Sequence, residues 1–220
     1  MPRLMRKNNG NGKNSFLLFS IILIFVLVIA DQLLKVWVKG NMQLGEMIPV
    51  FKNWFFLYFV ENEGMAFGLS WGGKVGKIAL TMIRIAVVSV LIYYFIRLIK
   101  RCSLHKITII VFALIIAGAI GNIIDSIFYG VIYDYAPLFM GHVVDMFYFR
   151  LFRIPEWFPL WGGAWFFPAI FNIADACVTI GLILIIIFNK PIFQDTKNEP
   201  ETDAPESEED PNRPQPELQH

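Results

Sequence analysis

The sequence predicts an all-α polytopic membrane protein: four transmembrane helices, a small outward-facing β-sheet and an interfacial loop or helix. Three observations predict it. Hydrophobic residues are 56% of the 220 and charged residues only 17%, against about 25% charged in a typical soluble domain. Four apolar stretches each come near the ~20 residues that cross a hydrocarbon core. Lysines and arginines in the short flanks fall on one side of a four-span arrangement, as the positive-inside rule requires.

The spans are expected at about 15–37, 78–96, 107–129 and 167–188. The first has a basic flank (Arg3, Arg6, Lys7, Lys13), as a secretory leader would. It is long, however, and no small-x-small site follows, so it reads as a retained helix. The third is the cleanest, with no charge between Ile107 and Ile124. Arg97, Lys100, Arg101 and Lys106 separate spans two and three, and Lys190 follows span four. Both termini are therefore expected in the cytoplasm.

The opposite side carries residues 38–77 and 130–166, rich in Trp, Phe, Tyr and Gly, as suits the membrane interface. Residues 51–68 read as strand, with a turn at Asn62-Glu63-Gly64. The chain thus divides into a basic N-terminus (1–14), a membrane domain (15–190) and an acidic tail (191–220). From Gln194 onward there are nine acidic and two basic residues, a net −7 against +8 for the remainder. Such a tail is expected to be disordered. The basic excess reads as topology, and no nucleic-acid partner is expected.

Several chemistries find little support. Cys102 and Cys177 suggest neither a disulfide nor a metal cluster. There is no Gly-x-Ser-x-Gly elbow and no His-Glu-x-x-His helix. His142 and Asp145, at i and i+3, lack an evident third metal ligand.

Ionisable residues inside spans are costly, so each is a functional candidate. At 1.5 Å per residue, Asp31 lies roughly 25 Å beyond Asn14, Lys35 roughly 31 Å, and Asp125 roughly 28 Å beyond Lys106. Counting back from Asn189, Asp175 is roughly 21 Å along and Asn172 roughly 25 Å. Against a ~30 Å core, three helices place their polar groups at one outer level. Asp31 and Lys35 can pair at i, i+4, either as a helix-end ion pair or as part of a site. Asn122 and Asp125 share a face at i, i+3, near Gly118 and Gly121; Asn172 and Asp175 repeat the spacing. Two such pairs at one depth point to a polar pocket more than to interhelical glue.

Asp145 sits in the outer segment, within the apolar run from Val143 to Phe149. An ordinary loop aspartate would not need such neighbours, and a carboxylate there points into a pocket or at a partner. Two carboxylates in a semi-apolar pocket share one proton. The ionised member takes a proton from water while the other polarises a carbonyl, as in aspartic proteases. Asp145 with Asp175 is one such pair; Asp125 and Asp31 remain competitors on these grounds. A proton-coupled carrier would place its polar residues nearer the midplane. A non-catalytic assembly protein would tolerate carboxamide replacements.

Five blocks in order resemble the lipoprotein signal peptidase (signal peptidase II) family. They are Asp31-Gln32-x-x-Lys35, Asn62-Glu63-Gly64-Met65-Ala66-Phe67-Gly68, Gly118 to Asp125, Val143-Val144-Asp145 and Phe171-Asn172-Ile173-Ala174-Asp175. The resemblance implies an aspartic endopeptidase of the bacterial inner membrane that needs no metal or cofactor; a monomer is expected. Its partners would be diacylglyceryl-modified prolipoproteins and membrane lipid. It implies Asp145 and Asp175 as catalytic residues, and Asp31, Lys35, Asn62, Gly64, Asn122, Asp125 and Asn172 as lining or bracing the site. Two departures stand out. Ser126 occupies the position where the family usually has Arg, with Arg84 or Lys35 as substitutes for that charge. Residues 130–141 and 146–166 are longer than usual, which suggests a larger flap over the site.

Overall fold

A computed structural model describes residues 10–62, 73–101 and 104–188. Helix α1 runs Gly10–Asn41 and leads through a short connection into β1, Met47–Phe51. Strand β2, Phe55–Asn62, pairs antiparallel with β1. Helices α2, Gly73–Arg101, and α3, Lys106–Ile124, follow. A π-helical stretch, Asp125–Tyr129, and a last turn α4, Gly130–Ile132, extend α3. Strand β3, Val143–Phe149, a short β4, Ile170–Phe171, and helix α5, Ile173–Ile187, complete the order.

Among the described residues, three helices are long and apolar enough to cross a membrane: 14–41, 73–100 and 106–132. Helix α5 is equally apolar but has 15 described residues, about 22 Å of helix. It begins later than the expected 167. Pro168 lacks the amide hydrogen a ladder needs, and the chain pairs briefly as β4 before Asn172 caps the helix. Helix α3 is central, packing against α5, α1 and α2. Between α3 and α5 the backbones nearly touch. A Cβ on Gly118 would lie 2.2 Å from the Ala174 carbonyl oxygen, so only glycine allows that approach. Large apolar side chains such as Phe25, Leu33, Val90 and Ile186 point outward from the helices.

The sheet has the order β1-β2-β3-β4, all antiparallel. β1 follows the end of α1, β3 follows the end of α4 and β4 precedes the start of α5, so the sheet lies at one end of the bundle. Within the stretch expected as strand, the described residues hold a turn at Lys52–Trp54, which makes β1 and β2 a hairpin. Lys52 takes the left-handed conformation this tight turn needs. Glu63 and Gly64, and so the expected turn at 62–64, lie outside the described residues. Val38, Met42, Phe59, Tyr129, Val144 and Met146 form the core between sheet and helices.

Candidate active site

Asp145 is the third residue of β3, buried at 3% exposure. Strand alternation turns it to the face that meets the helix ends. Its cross-strand partner is Val60. Asn62, two residues along β2, is therefore a diagonal neighbour, within reach of a side-chain contact. The Asn62 amide donates to Asp145 Oδ2 at 3.0 Å. The Asn172 amide donates to Asp145 Oδ1 at 2.6 Å.

Asp175 is set by the start of α5. Asn172 Oδ1 accepts from the Asp175 amide at 2.8 Å, and Asp175 Oδ2 accepts from the Asn172 amide, a reciprocal capping box. Asn122 of α3 donates to Asp175 Oδ1 at 2.7 Å. Asn172 is thus the hinge of the site: its backbone and Oδ1 fix Asp175 while its amide nitrogen fixes Asp145. The two carboxylates are close enough to repel. Burial, and then the charge of Asp175, push the Asp145 carboxyl up to about 7.

Around this pair lies a buried ionic cluster. Lys35 Nζ contacts Asp31 Oδ2 at 2.8 Å, Asp125 Oδ2 at 2.7 Å and Asn122 Oδ1 at 3.0 Å. Those three acceptors use all three ammonium hydrogens. Each aspartate also holds a backbone amide. Asp31 Oδ1 accepts from Ala174 N at 2.9 Å, one of the open donors of the first turn of α5. Asp125 Oδ2 accepts from Val144 N at 3.3 Å, one residue before Asp145. The two aspartates therefore anchor the elements that carry Asp175 and Asp145.

Asp31, Lys35, Asn62, Asn122, Asp125, Asp145, Asn172 and Asp175 form one hydrogen-bonded network. Gly64 lies outside the described residues. Lys35, saturated by its partners, does not serve as a free substitute for an arginine at 126. Ser126 is buried and bonds back to the Asn122 carbonyl at 2.9 Å. Arg84 of α2 lies within electrostatic range of Asp175. His142 does not join Asp145 in a metal pair; it turns to Glu61 at 3.2 Å. Glu61 also pairs with Lys39. The His142 hydrogen bond, aided by Lys39 against burial, holds the Glu61 carboxyl below its usual range.

Gln32 belongs to the site as well. It donates to Asp125 Oδ1 at 2.8 Å and to the Gly121 carbonyl at 3.1 Å, and it accepts from the Tyr129 hydroxyl at 3.2 Å. Its signal in the sequence was its place beside Asp31; Tyr129 is one turn beyond Asp125. The π-helical stretch brings the following chain close. A Cβ on Gly141 would lie 2.1 Å from the Asp125 carbonyl oxygen. Glycine there lets the chain enter β3 directly beside the α3 end.

Fold and site define a membrane protein with a buried polar centre clamped between helix ends and a sheet. Comparison with known proteins makes the class specific. The family model described as Signal peptidase (SPase) II matches residues 23–189. A lipoprotein signal peptidase of Porphyromonas gingivalis is 43% identical over 184 residues, covering 75% of this chain and 80% of that protein. One from Amoebophilus asiaticus is 40% identical over 179 residues, covering 76% and 75%. A solved bacterial membrane enzyme matches with a TM-score of 0.57 at 29% identity, over 78% of this chain and 92% of that one. The chain belongs to the signal peptidase II family: it is a bacterial membrane peptidase of lipoprotein processing.

Proposed function

We propose that the protein is an aspartic endopeptidase with four membrane spans, acting as a monomer. It removes the signal peptide from diacylglyceryl-modified prolipoproteins, cutting before the lipidated cysteine. Both termini lie in the cytoplasm and the site opens toward the outer face. The observation that carries the reading is the pairing of Asp145 and Asp175 through Asn172, with asparagine side chains and backbone amides as their hydrogen-bond donors. The fourth span is α5, Ile173–Ile187. Arg and Lys placement supports the orientation.

The chemistry follows from the asymmetry of the pair. Two carboxylates this close share one proton. Asp145, the more buried, holds it, with its carboxyl pushed up to about 7. Asp175, partly exposed and near the Arg84 cation, is the charged member. A water between them gives its proton to Asp175 as its oxygen attacks the scissile carbonyl carbon. Asp145 gives its proton to the carbonyl oxygen, forming a neutral tetrahedral diol. Asp175 then returns its proton to the leaving nitrogen while Asp145 recovers one from a diol hydroxyl. The C–N bond breaks, giving a carboxylic acid on the signal peptide and an amine on the lipidated cysteine. Asn122, Asn62 and Asn172 orient the two carboxylates, and the Lys35 cluster holds the frame.

The test is cleavage of a diacylglyceryl-modified prolipoprotein by purified protein in detergent. Asp145→Asn and Asp175→Asn should each lower the rate by about 10²–10⁴-fold, the usual worth of general acid–base catalysis. Normal processing by either variant refutes the dyad.

A further inference from the structure

Between β3 and β4 the chain builds a second, shorter hairpin over residues 150–167. Its backbone is bonded to itself. Phe166 N donates to Phe152 O at 2.8 Å, Ile154 N to Ala164 O at 2.8 Å and Gly163 N to Ile154 O at 2.9 Å. Phe152 and Phe166 stack at 4.6 Å. At its base, Arg150 and Arg153 lie over the Trp165 ring at 5.6 and 5.8 Å. The loop is therefore ordered by its own contacts. Its outer side chains are apolar and bare: Leu160 is 97% exposed, Trp157 79% and Trp161 65%. From Ile154 to Phe171 the only charge is Glu156.

An ordered loop does not hold such residues in water without a partner. The position of the hairpin says which partner. Phe167 is five residues before Asn172, the cap of membrane helix α5. Five residues reach at most about 18 Å, so the base stands near the bilayer surface. The hairpin also leaves β3 at its far end. Arg150 is five residues from Asp145, so the hairpin begins about 17 Å along the strand from the dyad. At the same sheet end, Arg150 N bonds Trp54 O at 2.8 Å, and Phe51 and Trp54 add to the apolar rim.

We propose that the 150–167 hairpin is a membrane-inserting wedge. Leu160, Trp157 and Trp161 enter the boundary between headgroups and acyl chains of the leaflet next to the sheet. Arg150 and Arg153 meet the lipid phosphates above them. Tryptophan and arginine suit those two depths. The wedge adds a fixed point beside the helices, which holds the sheet, and with it Asp145, at a set height over the bilayer.

The experiment places an environment-sensitive dye on Leu160→Cys, and separately on Trp157→Cys, with Cys102 and Cys177 replaced. The full-length protein is held in phosphatidylcholine–phosphatidylglycerol nanodiscs. The wedge predicts blue-shifted emission at both positions. Lipids with a nitroxide high on the acyl chain should quench the dye several-fold better than aqueous iodide does. Water-like emission with iodide quenching equal to that of free dye overturns the proposal. So does shielding that appears only when prolipoprotein is added, which would make the hairpin a flap on the site. Shielding that disappears on dilution to one protein per disc would assign the patch to a second copy and also overturn it. Because the readout is the dye and not cleavage, it is independent of the proposed dyad.

Discussion

Lys35→Met offers the sharpest test of the frame around the site. Lys35 is 0% exposed and neutralises Asp31, 2% exposed, and Asp125, 0% exposed. Methionine keeps the stem volume but leaves two buried carboxylates facing each other with no cation. Removing one partner of a buried ion pair costs about 3–5 kcal/mol. For a chain of this size each kcal/mol moves the midpoint by about 2–4 °C, so the fall should be about 6–20 °C. Thermal unfolding in detergent can be followed with a thiol-reactive fluorogenic dye. Cys177 is buried at 5% exposure and becomes reactive as the bundle opens; Cys102→Ser removes the other thiol. A second arm pairs Lys35→Met with Asp125→Asn, which lowers the uncompensated charge and should recover part of the loss. If Lys35→Met melts within about 2 °C of the parent, the cluster is not the brace described here.

Other outcomes follow from the same geometry. With Asp145 holding the shared proton up to about pH 7, kcat/KM should fall on the alkaline side as that proton is lost. Asn62 favours the ionised form of Asp145, so Asn62→Ala should move this limb to higher pH while lowering kcat; an unmoved limb refutes the contact. Gly118→Ala forces a Cβ against the Ala174 carbonyl and should lower the melting midpoint more than Gly121→Ala, whose nearest neighbour is the Asp31 side chain at 2.8 Å. Arg84→Met should slow cleavage at least several-fold more than Arg84→Lys, because the lysine keeps a cation facing Asp175; equal rates for both refute an electrostatic role.

Much of this was legible in the sequence, and the failures have physical causes. Composition and span length were enough for the long helices because a bilayer admits only long apolar runs. They placed the start of α5 too early, because Phe167 to Phe171 is apolar whether it forms helix or strand. Only Pro168 and the Asn172 cap mark the change. The sequence predicts a small sheet but does not mark the Lys52–Trp54 turn, because aromatics fill both arms and that turn lacks glycine. Strand β3 had a plain signal in Val143–Phe149, rich in β-branched and aromatic residues, yet only the aspartate within it drew notice. Residues 146–166 read in the sequence as a flap; the pairing of 147–149 within the sheet and the bonding of Phe152 to Phe166 are contacts that sequence spacing does not show.

Depth in the membrane found Asp31, Asp125 and Asp175 but gave no means of ranking them, and it passed over Asp145. The partners of each carboxylate supply the missing criterion. Asp31 and Asp125 each bond a lysine and a backbone amide. Such carboxylates are tied to a fixed cation and to the backbone, which suits a brace. Asp145 and Asp175 take hydrogen bonds from asparagine amides and backbone, and each acts on the other. Neutral donors orient each carboxylate without tying it to a fixed cation, and burial beside Asp175 still carries the Asp145 carboxyl up to about 7. A proton can then move between the two at little cost, as water activation requires. Burial alone therefore marks where polar groups are needed, and the charge of the partner separates those that hold the fold from those free to react.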